Sequence, residues 1–496
     1  MENKFSNEVR NVLNGTGEYT RTENDGLQYR TTGTALLDLF ATIGALREKS
    51  EEGVVKAFKK AKDEDALLAM KMLFYARNIR GGLGERRTFR VILKSIADNE
   101  NLIRKNISLI PEFGRWDDLF VLFGTPSENC MLEFVKKQFE SDLANYESGN
   151  KSEISLLGKW LKSENSTSKE GNRMGTKFRK AFGLTSKEYR KALSLLRAHL
   201  RVVEKDMSAN NWSEIEYEGV PSYAMKNYHQ AFYRHDLDRF SEYISDVKSG
   251  KQTIKSSTLF PYDLVKEYVP NFYRRDVIFK NPVVEAQWKA LPNYVEGNKN
   301  IMVMADTSSS MYNGISIYAS LGLAIYFAER NHGSFHNLMM IFAGIPILVE
   351  LIDNASLYEK IKSIPTINEM NTDIGKAFRK ILEIGVTGNI PPEDMPEALI
   401  IISDMEFDPS NMLKKTAYET AKSEFAHYGY SLPKTIFWNA SQRSTGYQAK
   451  KDDTNVIMVS GTSASTFKSV LAHIDKSPYE FMLEVLSDPV YDRVCI

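Results

Sequence analysis

The stretch Ile301–Ser310, IMVMADTSSS, decides the reading of this chain. Its first five residues are apolar without alternation, which is the pattern of a strand covered on both faces, and a polar run opens at Asp306. Further short apolar runs follow: LMMIFA, ILVELI, ALIIISD, KTIFWNA and NVIMVSG. Amphipathic segments fall between and after them, at ISIYASLGLAIYFAER and near Ile374 to Ile384, Asn411 to Tyr428, Thr466 and Phe481. Buried strands joined by helical crossovers predict a parallel sheet with helices on both faces. Residues 296–496 therefore read as a doubly wound, Rossmann-like α/β domain.

Working back from Ile301, the pattern changes to helical. From about Thr34 to Tyr294 the apolar residues recur at helical spacing, as in Ala35 to Leu46, Glu64 to Ala76, Thr88 to Ile96 and Ser186 to Met207. With little strand signal among them, these helices are expected to pack on one another as an array over residues 31–295. Residues 1–30 are polar and are expected to be a flexible leader. A chain of 496 residues exceeds what one core usually serves, which agrees with a multidomain reading.

Composition narrows the function classes. Hydrophobic residues at 42% and charged ones at 26% describe an ordinary globular protein and exclude disordered, collagen-like and coiled-coil chains. The 64 Lys plus Arg equal the 64 Asp plus Glu, so any nucleic-acid binding must come from a local patch. Cys130 and Cys495 stand far apart with no Cys or His at metal-ligand spacing, against a disulfide scaffold or zinc finger. No signal-like apolar stretch opens the chain, and no run approaches the ~18 residues of a membrane span. The expectation is a soluble cytoplasmic protein with no membrane partner.

In open α/β sheets ligands bind beyond the carboxyl ends of the strands. There the sequence offers Asp306, Ser308 and Ser310 after the first run, Thr372 at the start of TDIGKAF, and Asp404 after ALIIIS. Two carboxylates and three hydroxyls are hard oxygen donors, suited to Mg²⁺ or Mn²⁺. The same residue types also cap helices and open turns, and that structural role stands beside the metal reading.

The D-x-S-x-S run after a first buried strand, a Thr opening a later helix and an Asp after a further apolar run resemble the metal-ion-dependent adhesion site of von Willebrand factor type A domains. The resemblance implies Ser308, Ser310 and Thr372 as ligands, Asp306 and Asp404 as direct or water-mediated partners, and a coordination position left for an acidic residue of a protein partner. Asp404 is followed by Met405, Glu406 and Asp408, where that family often has Gly. The helical segments FYARNIRGGLGERRTFR, GRWDDL, VPSYAMKNYHQAF and RHDLDRF, with SDMEFD, TIFWNA and VSG downstream, resemble an uncharacterised family of viral and eukaryotic proteins. Through GGLGE, VPSYAM and domain order that family is distantly similar to the TROVE module of the Ro ribonucleoprotein, a ring of HEAT-like helices. The resemblance implies binding of structured or misfolded RNA in or around a helical ring.

A local basic patch supports such a partner. Lys169, Arg173, Lys177, Arg179, Lys180, Lys187, Arg190, Lys191, Arg197 and Arg201 face only Glu170 and Glu188. Phe178, Phe182 and Tyr189 are interleaved, either as base-stacking platforms or as core. A second cluster, Arg77, Arg80, Arg86, Arg87 and Arg90, flanks the turn Gly81-Gly82-Leu83-Gly84, which lacks the Gly-Lys-Ser/Thr of a phosphate loop. Trp116 with Asp117 and Asp118 reads as a packed aromatic at a helix start. No Ser/His/Asp or Cys/His arrangement is legible, so the expectation is a noncatalytic RNA-binding protein. The alternative is a protein-interaction or assembly scaffold working through the cation site.

Overall fold

A computed structural model describes residues 17–496, apart from 201–202, 270–278, 298, 313, 366–371, 410–415, 442 and 444–445. A helical array comes first in the chain and a six-stranded sheet flanked by helices second. The sheet contains β3 (Ile301–Ala305), β4 (Leu338–Ile341), β5 (Ile347–Glu350), β6 (Ala398–Ser403), β7 (Lys434–Asn439) and β8 (Val456–Ser460), one strand from each apolar run. Their spatial order is β5-β4-β3-β6-β7-β8. Every neighbouring pair is parallel except β4 and β5, which run antiparallel through a short connection; the expected parallel sheet thus ends in a reversed edge strand. In β3, β6 and β8 every residue is buried, which is why their sequences do not alternate. Connections from β3 lead one way through the sheet and those from β6 the other, so the crevice between β3 and β6 is the topological switch point.

In the array, capping residues set the helix boundaries. Ser50 caps Glu51–Glu64, and Asp65 both ends that helix and caps Ala66–Arg77 by accepting from the Leu68 N–H. Thr185 and Glu188 form a reciprocal capping box at the start of Ser186–His199. That helix is capped at Leu200, short of the Met207 its sequence suggested, and a separate helix spans Val203–Ser208.

The helices do not pack only on one another. One continuous apolar cluster runs from Leu36 through the helices up to Leu196 and on through the sheet to Val494. A second, smaller cluster joins Ser222–His235, Leu237–Ser249 and Pro282–Lys289, centred on Met225, Phe232 and Phe240. The segment Ala35–Glu48 lies against β8, where the Gly44 N–H donates to Ser460 Oγ at 3.0 Å. A Cβ at Gly44 would stand 2.6 Å from the Ser460 carbonyl oxygen, so only glycine permits this approach. The helix Pro478–Leu486 returns to pack on Ala35–Phe40 and Ala66–Arg77, with the Phe40 and Phe481 rings 5.9 Å apart.

The leader requires a correction. Residues 17–30 of the expected flexible segment form an antiparallel hairpin, β1 (Tyr19–Arg21) and β2 (Leu27–Tyr29). Tyr29 and Tyr447 exchange backbone hydrogen bonds of 2.8 and 2.7 Å, which fastens the hairpin to the α/β half. The Gly81–Gly84 turn is also a docking element: Ser465 Oγ, in the loop after β8, donates to the Gly82 carbonyl at 3.0 Å. Among the described residues no helix is long and apolar enough to cross a membrane.

Candidate cation site and basic surface

Asp306 follows β3 and Asp404 follows β6, which places both carboxylates at the switch point. The Asp306 N–H continues the ladder onto the Ile402 carbonyl at 2.9 Å. Its carboxylate accepts from the Ser308 N–H at 2.9 Å and from Ser403 Oγ at 2.6 Å. Ser308 Oγ and Ser310 Oγ are 3.0 Å apart, and the Ser310 hydroxyl also interacts with the Asp404 carboxylate. Asp404 Oδ1 accepts from the Glu406 N–H at 3.2 Å, whereas its buried Oδ2 accepts no hydrogen bond from the described residues. Between them Met405 adopts φ 66°, the left-handed region that favours glycine, so the turn the resemblance led one to expect is made here by a methionine.

Thr372 joins the same rim from the other side. Its hydroxyl donates to the Glu406 carbonyl at 2.8 Å, and its N–H donates to Asp408 Oδ2 at 2.9 Å. Asp306, Ser308, Ser310, Thr372 and Asp404 thus belong to one hydrogen-bonded rim built on the loop after β6. Burial, with the charge of Asp404 adding to it, pushes the Asp306 carboxyl up to about 7. Asp404 is likewise raised by burial, and burial pushes Glu406 up to about 7. A largely buried set of hydroxyls and carboxylates whose charge is held at a cost suits a hard cation. Among the described residues no three His, Cys, Asp or Glu side chains form a metal-binding group by themselves. The hydroxyls would have to complete the donor set.

Sequence reasoning missed several residues of this rim. Ser403 closes an apolar strand and gave no polar signal beyond its own hydroxyl. Glu406 and Asp408 stood out only as departures from glycine. Glu23 and Asn24 come from the turn between β1 and β2. The Glu23 N–H donates to the Glu406 carboxylate, and Asn24 Nδ2 donates to the Glu406 carbonyl at 2.7 Å and to Thr372 Oγ1 at 3.2 Å. Arg443 pairs with Glu23 and lies with Nη1 3.6 Å from Asp404 Oδ2.

The basic residues divide into two groups. Lys177 pairs with Glu128, Arg179 with Glu164 at 2.7 Å, and Arg197 donates to the carbonyls of Gly158 and Leu161 and to Ser163 Oγ. These three hold the array together. Lys169, Arg173, Lys180, Lys187, Arg190 and Lys191 are exposed and form no ion pair with the described residues. The 3.6-residue period puts Lys169, Arg173 and Lys180 on one face of Lys169–Phe182, and Lys187, Arg190 and Lys191 on one face of Ser186–His199. Arg201 lies outside the described residues. Phe178, Phe182 and Tyr189 are core: the Phe139 and Phe182 rings stack at 4.5 Å, and Phe178 packs on Phe120 and Phe123.

The second arginine cluster is committed to structure. Arg77 Nε donates to Asp118 Oδ2 at 2.8 Å, with both side chains buried, and Arg90 Nε donates to Asp118 Oδ1 at 2.6 Å. Arg86 and Arg90 also pair with Asp117, Arg80 reaches the Glu112 carbonyl, and Arg87 reaches the Arg47 carbonyl. Asp117 and Asp118 do open a helical turn, Trp116–Leu122, where Asp118 Oδ2 accepts from the Arg115 N–H at 2.9 Å, and the same pair also anchors the arginines.

Comparison with known proteins gives families without an assigned activity. A model described as a domain of unknown function (DUF2828) matches residues 22–99 and 161–299, and a second domain of unknown function (DUF7788) matches residues 300–484. Uncharacterized protein L728 of Acanthamoeba polyphaga mimivirus is 27% identical over 517 residues, covering 96% of this chain and 88% of that protein. Among solved structures, the RO (RSR) protein of Deinococcus radiodurans is similar at 14% identity and a TM-score of 0.35, over 87% of this chain and 92% of that one.

Proposed function

We propose that the chain is a noncatalytic RNA-binding protein. In this reading a TROVE-like array of HEAT-like helices meets the nucleic acid, and a von Willebrand factor type A-like domain over residues 296–496 holds Mg²⁺ or Mn²⁺. The observation that carries the RNA reading is the six exposed cations on adjacent helices, Lys169, Arg173, Lys180, Lys187, Arg190 and Lys191, without ion-pair partners among the described residues. Cations spent on the protein's own carboxylates have little to offer a phosphate, and these are not spent. Arg173 also lines a groove of about 520 Å³ whose walls carry Lys94 and Lys162 together with the carboxylates Glu51, Asp117 and Glu170.

Fluorescence anisotropy with a structured RNA across a salt series tests it. Neutralising Arg173, Lys180, Arg190 and Lys191 to Gln is expected to make the log–log salt dependence shallower by about four, at roughly one per lost phosphate contact. An unchanged slope would refute the assignment.

A second reading, a scaffold that captures an acidic residue of a protein partner, is favoured by the buried Asp404 Oδ2, which accepts no hydrogen bond from the described residues. Asp306, Ser308, Ser310, Thr372 and Asp404 would hold the cation. When bound, the cation would supply positive charge and a coordination position for the partner's carboxylate. The protein's own part would be to keep these oxygens together and sheltered from water, and the turns around Ser308 and Met405 support that role.

A further inference from the structure

The mouth of this site is covered by the chain itself. The turn Thr22–Gly26 is seated on the loop after β6. Thr22 Oγ1 donates to the Phe407 carbonyl at 2.7 Å, and Asn24 bridges Glu406 and Thr372. A Cβ at Gly26 would lie 2.2 Å from the Phe407 carbonyl oxygen, so the seat admits only glycine. Over the same rim, the Arg443 guanidinium joins Glu23 of the turn to Asp404. Asp404 is wholly buried, and among the described residues its Oδ2 has no hydrogen-bond donor and one ion-pair partner, the Arg443 guanidinium 3.6 Å away.

We propose that Arg443 is the resident cation of the Asp306–Asp404 site, held there by Glu23 of the N-terminal turn. A divalent cation, and the acidic group it would recruit, then enter only when the Arg443–Glu23 pair opens. This inference rests on the cation-site reading above and adds a gate to it. The physical reason is charge balance. Asp306, Asp404, Glu406 and Glu23 crowd one rim, and a guanidinium with five donors can bridge two of these carboxylates without leaving the chain. A divalent ion and a guanidinium repel each other at this range, so the two occupancies exclude one another. Glu23, meanwhile, stands where an acidic partner would approach.

The test is Mn²⁺ binding to the full chain at neutral pH, followed by electron paramagnetic resonance of the free ion. Arg443→Gln should bind Mn²⁺ at least tenfold more tightly than the parent. Gly26→Val, which unseats the turn, should shift affinity in the same direction, and Asp404→Asn should abolish binding in either background. If parent and Arg443→Gln bind equally while Asp404→Asn does not bind, the gate is refuted and the cation site stands. Absence of binding in the parent together with binding in Arg443→Gln supports the gate in its strongest form. Absence of binding in parent, Arg443→Gln and Gly26→Val alike refutes both the site and its gate. Circular dichroism of each variant confirms that the fold is retained.

Discussion

Asp306 shows what a single position contributes. It is fully buried, and its carboxyl is raised from near 3.8 to about 7. A group that binds its proton more tightly in the folded chain adds stability that is complete below the unfolded pKa and is lost as pH rises through the folded one. Relative to Asp306→Asn, the parent chain without added metal should therefore lose stability between pH 5 and pH 8. Urea midpoints for the two proteins at both pH values measure this, and a constant difference would contradict it. Asp306, Ser308, Ser310, Thr372 and Asp404 were legible in sequence because strand-end polar residues are few and topology gives them a place. Glu23, Asn24 and Arg443 were not, because nothing local in TRTENDG or SQRST reports that these two segments, hundreds of residues apart, meet over the loop after β6.

At the scale of elements, apolar runs translated directly into strands, since unbroken burial on two faces leaves a plain mark on composition. The reversal of β5 left none, because an antiparallel edge and a parallel one share the same residue types. Helical basic stretches were legible as helices, but their division into committed and free cations depended on partners such as Glu128 and Glu164. The arginines around the Gly-rich turn show the cost of such commitments. Arg77→Met would leave buried Asp118 with the Arg115 N–H and Arg90, the one ion pair it would keep among the described residues, and the expected loss is about 3 kcal/mol in urea unfolding. A loss under about 1 kcal/mol would mean that the remaining arginine suffices.

For the whole molecule, the sequence suggested two domains, and the packing joins them through one apolar cluster. Periodicity tells which face of a helix is apolar without telling what covers it, so the shared cluster from Leu36 to Val494 was invisible until the fold was known. Residues 296–496 produced alone would uncover the edge of β8 and the apolar face of Pro478–Leu486. An unpaired strand edge beside exposed Phe481 and Met482 is a template for association. Size-exclusion chromatography with light scattering should find that fragment oligomeric or aggregated and the full chain not; a monodisperse fragment would contradict this.

The anchoring of the hairpin also has a consequence in time. Gln28 and Gln448 meet across 420 residues, so a nascent polypeptide exposes the first long before the second has been synthesised. At about 5–20 residues per second that delay is tens of seconds, during which the early hairpin has no dock. Its attachment therefore falls late in biogenesis, and a ribosome that stops short of Glu406 releases a product whose leading strands have neither the seat on the loop after β6 nor the partner strand at Tyr447.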